Sequence, residues 1–286
     1  MRKLLLGASA ITATAALSGC SFLGLGGGHD YRSYDPAGSQ YYGHARPAPA
    51  PAPCASNNCL SRFNLEGGLG PAFMVDGTAV TGDRTNDGSG VAIRNISMAD
   101  AYETGYRAEL GGSYALSPNR KVTALGFYSE AEDEGVIDWG TVGGEALTGR
   151  LSDYESYGAE LGLRQYFRPR RAIIVSSIRP YVEGRVGLAQ VKDINIEQAS
   201  LGGAAFNGGE PVPFYESGLV GSAAGLVGIE TPLTRYSTIA LETGIRYQGK
   251  PDSDTSALAP GNPLSGINNG GDTLTVPVML RGRYRF

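Results

Sequence analysis

Histidine is scarce in this 286-residue chain: the two present, His29 and His44, both fall before residue 62. Residues 62–286 therefore lack the imidazole on which hydrolysis and acyl transfer commonly draw as a general base. Basic side chains are outnumbered, 24 against 28 acidic, and no basic stripe is present, which excludes nucleic acid as a partner. Cysteine occurs three times, at Cys20, Cys54 and Cys59. A metal centre would want more ligands at defined spacing. The one calcium-like loop, Asp83–Gly88, has Arg94 where a closing glutamate belongs, so it reads as a solvated turn. No metal and no cofactor is expected. The long apolar run Leu4–Leu17 is about 14 residues, too short to cross a membrane as a helix. Trp139 is the single tryptophan, and the sequence leaves it as either a rim anchor or a contact residue.

That apolar run follows the basic Met1-Arg2-Lys3 and has the length of a signal-peptide core, so residues 1–19 are expected to be removed. Leu17-Ser18-Gly19-Cys20 resembles the lipobox of bacterial lipoproteins. The resemblance implies that the Cys20 thiol takes a diacylglyceryl group, and Ser21, rather than Asp, implies sorting to the outer membrane. Cys54 and Cys59 then remain, separated by four polar or small residues, and an exported protein sits in an oxidising space. We read them as a structural disulfide; His44 is cut off from the pair by a proline-rich run, which argues against a metal site. Residues 20–61 read as a lipidated tether, glycine-rich at Gly24–Gly28 and stiff over Arg46–Pro53. Its alternative role is contact with the cell wall or a periplasmic partner.

From Arg62 onward apolar and polar residues alternate with period two, the pattern of half-buried strands. Eight segments carry it: 62–75, 102–116, 120–131, 154–168, 177–192, 214–231, 236–249 and 273–286. The gaps at 76–101, 132–153, 193–213 and 250–272 are long and rich in Gly, Asp and Asn. Those at Ser117-Pro118-Asn119, Arg168–Ser176 and Pro232–Arg235 are short. Strict alternation of long and short connections is what an up-and-down barrel in a membrane requires, with long loops on one side and tight turns on the other.

Charge tests the phase of each strand, because Arg or Lys facing lipid at mid-membrane costs about 2–4 kcal/mol. Phe63, Leu65, Leu69 and Phe73 alternate with Asn64, Glu66 and Gly68; Leu161, Leu163 and Phe167 alternate with Glu160 and Arg164. The same parity holds in four further segments. It collects Glu66, Glu109, Glu160, Glu183, Glu230 and Glu242 on the interior, facing Arg107, Arg164, Arg185, Arg246, Arg281 and Arg283. An eight-stranded barrel is just wide enough for side chains to fill, so these charges read as a salt-bridged plug rather than a pore lining. Pro71 and Pro277 interrupt strands that have no free edge, and a bulge or loosened seam is expected there.

The last strand, Val278–Phe286, is apolar on one face and carries Arg281, Arg283 and Arg285 on the other. With Leu280, Tyr284 and the terminal Phe286 it resembles the C-terminal signature of bacterial outer-membrane β-barrels. That resemblance implies recognition by the barrel-insertion machinery. Residues 62–286 together are similar to the small eight-stranded barrels of the OmpA, OmpX and opacity-like type. The implied fold class is all-β, an eight-stranded antiparallel up-and-down transmembrane barrel in contact with outer-membrane lipid, with both termini periplasmic. A lipobox departs from that type, whose members carry ordinary signal peptides. The expected role is non-enzymatic, structural or surface-interacting through the long connections. The alternatives are a narrow porin-like channel, an envelope subunit docking through its tether, or a barrel enzyme acting on lipid A or phospholipid.

Overall fold

A computed structural model of the chain describes residues 62–82, 90–170, 177–205, 210–254 and 266–286. The signal segment, the tether with Cys20, Cys54 and Cys59, both histidines and the Asp83–Gly88 loop lie outside the described residues.

In chain order, β1 (Phe63–Asp76) enters a long connection holding β2 (Thr78–Val80), β3 (Val91–Ile93), β4 (Ile96–Ser97) and one helical turn at Met98–Ala101. β5 (Gly105–Ser117) and β6 (Arg120–Ala131) form a hairpin around Pro118-Asn119. A second long connection contains β7 (Ile137–Val142) and β8 (Glu145–Leu151). β9 (Tyr154–Tyr166) and β10 (Arg179–Val191) follow, and a third connection contains β11 (Ile194–Leu201), β12 (Ala204–Ala205) and β13 (Val212–Tyr215). β14 (Gly218–Pro232), β15 (Ser237–Gln248) and β16 (Thr273–Arg285) complete the order.

Eight strands, β1, β5, β6, β9, β10, β14, β15 and β16, close into a barrel. Each pairs antiparallel with the next, and β16 pairs back onto β1, with Asn64 opposite Arg285. This is the expected all-β, eight-stranded up-and-down barrel. Both ends of the barrel segment lie at the short-turn end. Closure leaves the barrel no edge strand, so its backbone donors and acceptors are satisfied around the ring.

The two prolines loosen the seam, one of the two forms expected, and form no bulge. Pairing between β1 and β16 passes from Leu69–Leu280 to Ala72–Pro277, skipping Gly70 and Pro71 without a change of register. The ladder between β15 and β16 likewise skips the residues opposite Val276 and Pro277, where the Thr243 hydroxyl donates to the Pro277 carbonyl at 2.8 Å. The β1–β16 bulge instead lies between Met74 and Asp76. Two missing rungs are tolerated because sequence parity holds the register: a one-residue slip would turn every charge of the strand toward the outside.

Side-chain alternation gives the barrel its two faces. Leu69, Leu110, Leu161, Leu163, Val186, Leu188, Leu241, Ile245 and Leu280 are exposed on the outer wall, while the polar partners between them are buried inside. An oily exterior around a charged interior inverts the arrangement of a water-soluble barrel.

The long connections are not polar loops. β12, β11, β8, β7 and β3 form a second sheet in that order, with β13 also on β11, and β2 pairs with β4. Ile93, Ile96, Met98, Trp139, Leu147, Leu151, Ile194, Ile196, Val212 and Phe214 are buried in one cluster. The cluster runs on into Phe127, Ala189, Val191 and Val220 at the barrel mouth. The connections thus build a folded cap with its own apolar core. Glycine and acid content concealed it, because the apolar residues are few per connection and only four connections together supply a core.

Candidate functional site

Strand parity brings the lumen residues to one height range, and the close pairing of eight strands presses them together. All six interior glutamates and all six arginines are buried. They form one connected network. Arg164 makes a bidentate contact with Glu66, at 2.8 and 2.9 Å, and reaches Glu183 at 2.6 Å. Arg185 continues from Glu183 at 2.7 Å to Glu109 at 2.8 Å and Glu242 at 3.0 Å. Arg246 pairs with Glu109 at 2.6 Å and Glu160 at 2.5 Å, and Arg107 with the same two acids at 2.7 and 3.0 Å. Arg281 joins Glu242, at 2.8 Å, to Glu109. Arg283 joins Glu230 to Glu66, where its Nε lies 3.2 Å from the carboxylate but off the hydrogen-bond line. Glu109 is the hub, with four arginines on its two oxygens.

Several members have no charge. The hydroxyls of Tyr166 and Tyr181 donate to Glu230 and Glu242, each at 2.8 Å, and Thr123 donates to Glu183 at 2.7 Å. The Arg107 guanidinium sits 3.8 Å from the centroid of Phe127, a cation–π contact inside the barrel. Tyr166 and Tyr181 share the parity of their strands' interior charges, and that signal could have assigned them. Strand β6 gave none, since Val122, Ala124 and Tyr128 alternate with Lys121, Thr123, Leu125 and Phe127 and both faces look mixed. Glycine makes room: a Cβ at Gly162 would lie 2.5 Å from the Thr123 hydroxyl and 2.8 Å from Arg185, and one at Gly228 would lie 2.3 Å from the Tyr181 ring.

Above the network, toward the cap, lies a chamber of about 20 Å³ lined by Ser129, Tyr154, Ser156, Ser222, Gln248 and Thr273. That is room for about one water. The lumen is therefore filled twice, by charge at mid-barrel and by the apolar cap at the long-connection end.

Trp139 belongs to neither role open to it in the sequence. It is 2% exposed, packs at a tilt against Phe214 with ring centroids 5.9 Å apart, and lies against Gly149, where a Cβ would come within 2.6 Å of the indole. The cap is tied across connections by the Tyr215 hydroxyl on the Ala79 carbonyl at 2.9 Å and by Asn268 on the Phe214 carbonyl at 2.8 Å, and within the second connection by Arg150 on Asp133 at 2.6 Å. Leu280 and Phe286 face outward, with Tyr284 edge-on to Phe286 at 5.4 Å.

Two cap tyrosines are held un-ionised. Burial pushes the Tyr102 phenol well above its usual value, aided by nearby Tyr154, Tyr215, Asp133 and Asp153; burial also raises Tyr215, aided by Asp272. A raised pKa in the folded state contributes stability that is whole below about pH 10, the unfolded value, and falls as pH rises beyond it. The Tyr102 hydroxyl has no hydrogen-bond partner among the described residues. We expect Tyr102→Phe to leave stability at pH 7 within about 0.5 kcal/mol and to weaken the alkaline loss of Trp139 fluorescence. An unaltered alkaline transition would refute the assignment.

A closed barrel with an apolar outer wall and a buried ionic interior defines the class of a transmembrane β-barrel. No family model and no curated protein matches the chain. Among solved structures it is similar to Neisserial surface protein A, at 11% identity over 79% of this chain and 98% of that one, with a TM-score of 0.41. It is also similar to Ail, the attachment invasion locus protein of Yersinia pestis, at 14% identity over 79% and 99%, with a TM-score of 0.34. The outer membrane protease OmpT of Escherichia coli matches at 9% identity over 79% and 97%, with a TM-score of 0.41. Closure and strand order are read from the pairing of this chain itself.

Proposed function

We propose that the protein is a non-enzymatic outer-membrane barrel lipoprotein, anchored through Cys20, that holds its cap outside the cell as a surface for adhesion, defence or recognition. The observation that carries this reading is the doubly filled lumen: a barrel that spends its interior on salt bridges and its mouth on an apolar core is built to support something rather than to pass it. The absence of histidine from residues 62–286 supports a non-catalytic role. The short turns and the tethered end then face the periplasm, where a lipid on Cys20 would be seated.

Two measurements test it. Reconstituted into planar bilayers, the full chain should give no steady single-channel openings; openings abolished by Arg246→Gln would establish a channel instead. A palmitate analogue supplied to growing cells should label the wild type and not Cys20→Ser. An unlabelled wild type would remove the lipid anchor and leave a plain barrel.

A further inference from the structure

Surface charge is divided between the two ends of the barrel. The cap end carries Glu132, Asp133, Glu134, Asp138, Asp153 and further acids, against Arg94, Arg150, Lys192 and Lys250 among the described residues. The short-turn end carries Arg62, Arg120, Arg168, Arg170, Arg179 and Arg235. Apart from Glu230 of the plug and the terminal carboxylate, the described residues there include no Asp or Glu. None of these six arginines has a carboxylate within 4.0 Å among the described residues, whereas Arg94, Arg150 and Lys192 at the cap end all do. Arg179 is held against the Asn119 side chain, at 2.9 Å, and over the Tyr166 ring; Arg168, Arg170 and Arg235 are exposed.

Their depth is set by aromatic neighbours. Arg62 precedes Phe63, Arg168 follows Phe167, and Arg235 precedes Tyr236, and each of those three rings is exposed on the outer wall. Exposed rings at the end of an apolar belt mark the level where acyl chain gives way to headgroup. A guanidinium one residue beyond such a ring reaches the phosphate layer with its stem still against the apolar wall, and its planar fork matches a phosphate with two parallel hydrogen bonds.

We infer that the arginine rim at the short-turn end is a binding surface for the phosphates of anionic glycerophospholipid headgroups. It selects phosphatidylglycerol-type lipid in the leaflet it faces. The inference rests on the transmembrane reading and goes beyond it in naming the lipid class and the residues.

The test uses the full chain refolded into phosphatidylcholine vesicles containing a trace of spin-labelled lipid, either phosphatidylglycerol or phosphatidylcholine. Electron spin resonance reads the fraction of each label immobilised on the barrel. The wild type should favour labelled phosphatidylglycerol about fivefold, the ratio expected of one arginine at the headgroup surface. The preference should shrink in 0.5 M salt, about the level at which surface charge is largely screened. Arg120 is engaged by the Gln165 side chain at 2.8 Å and Arg179 by Asn119, so the other four carry the preference: Arg62→Gln/Arg168→Gln/Arg170→Gln/Arg235→Gln should bring the ratio to parity, and Glu132→Gln/Glu134→Gln should leave it unchanged. Equal immobilisation of both labels by the wild type, or a preference that survives in the quadruple variant, would overturn the inference. Insertion is scored separately by protection of the barrel from protease. A chain that fails to insert at all would instead refute the transmembrane reading.

Discussion

Glu109→Ala should lower the stability of the folded barrel by about 3–5 kcal/mol, the cost of breaking a buried ion pair from one side. The carboxylate takes ion pairs from Arg107, Arg185, Arg246 and Arg281. Without it six buried arginines share five acids, and Arg281 keeps Glu242 alone. Attraction between the charges is not what makes the site costly to disturb, since desolvation offsets much of it. The cost lies in stranding cations where water cannot reach. Two comparisons follow from the geometry. Glu230→Ala should cost less, because Glu230 serves Arg283 and the Tyr166 hydroxyl at the short-turn end and Arg283 retains Glu66. Glu109→Met/Arg281→Met removes both charges of one pair and should recover part of the loss. Urea titration of the barrel in detergent, followed by far-UV circular dichroism, measures all three. A Glu109→Ala loss under about 1 kcal/mol, which is ordinary for a surface substitution, would sink the hub assignment.

The barrel was legible in the sequence because its signal is doubly redundant. Period-two alternation set each strand, and buried charge set the phase of most of them, so Glu160 with Arg164 and Glu183 with Arg185 each fixed a face independently. Boundaries such as 120–131 and 273–286 agree with β6 and β16 to within a residue. Strand β6 lacked the second signal, and its inward Phe127 and Thr123 went unassigned. The cap was not legible for a different reason. Val91, Trp139, Ile194 and Phe214 come from three connections, and a core assembled from three or four distant segments leaves no period within any one of them. Acid and glycine content then dominates the local reading. The pairing of individual arginines with glutamates was beyond sequence as well, since parity gives the face of a side chain but the ring order and stagger of eight strands decide its partner.

Trp139→Ala should separate the cap from the barrel. Removing a buried tryptophan costs about 3–5 kcal/mol. Here the whole loss is packing, because the indole Nε1 has no hydrogen-bond partner among the described residues to forfeit. The cap is poorly equipped to absorb it: its sheet ends on β3 at one edge and on the short β12 at the other, while the barrel ladder is closed. Opening of the cap should therefore become about two to four orders of magnitude more frequent. Hydrogen exchange would read this as lost protection in β7, β8 and β11, with β9, β15 and β16 still protected. Unchanged exchange in the cap would mean that Trp139 does not hold it; equal loss in the barrel strands would mean that cap and barrel are one cooperative unit. The same variant ranks the two fillings of the lumen. With the cap opened, the network around Glu109 stands alone between the two sides of the membrane, and its side chains still occupy the cross-section at mid-barrel. Trp139→Ala should then remain non-conducting in planar bilayers, and steady openings would transfer the role of seal from the plug to the cap.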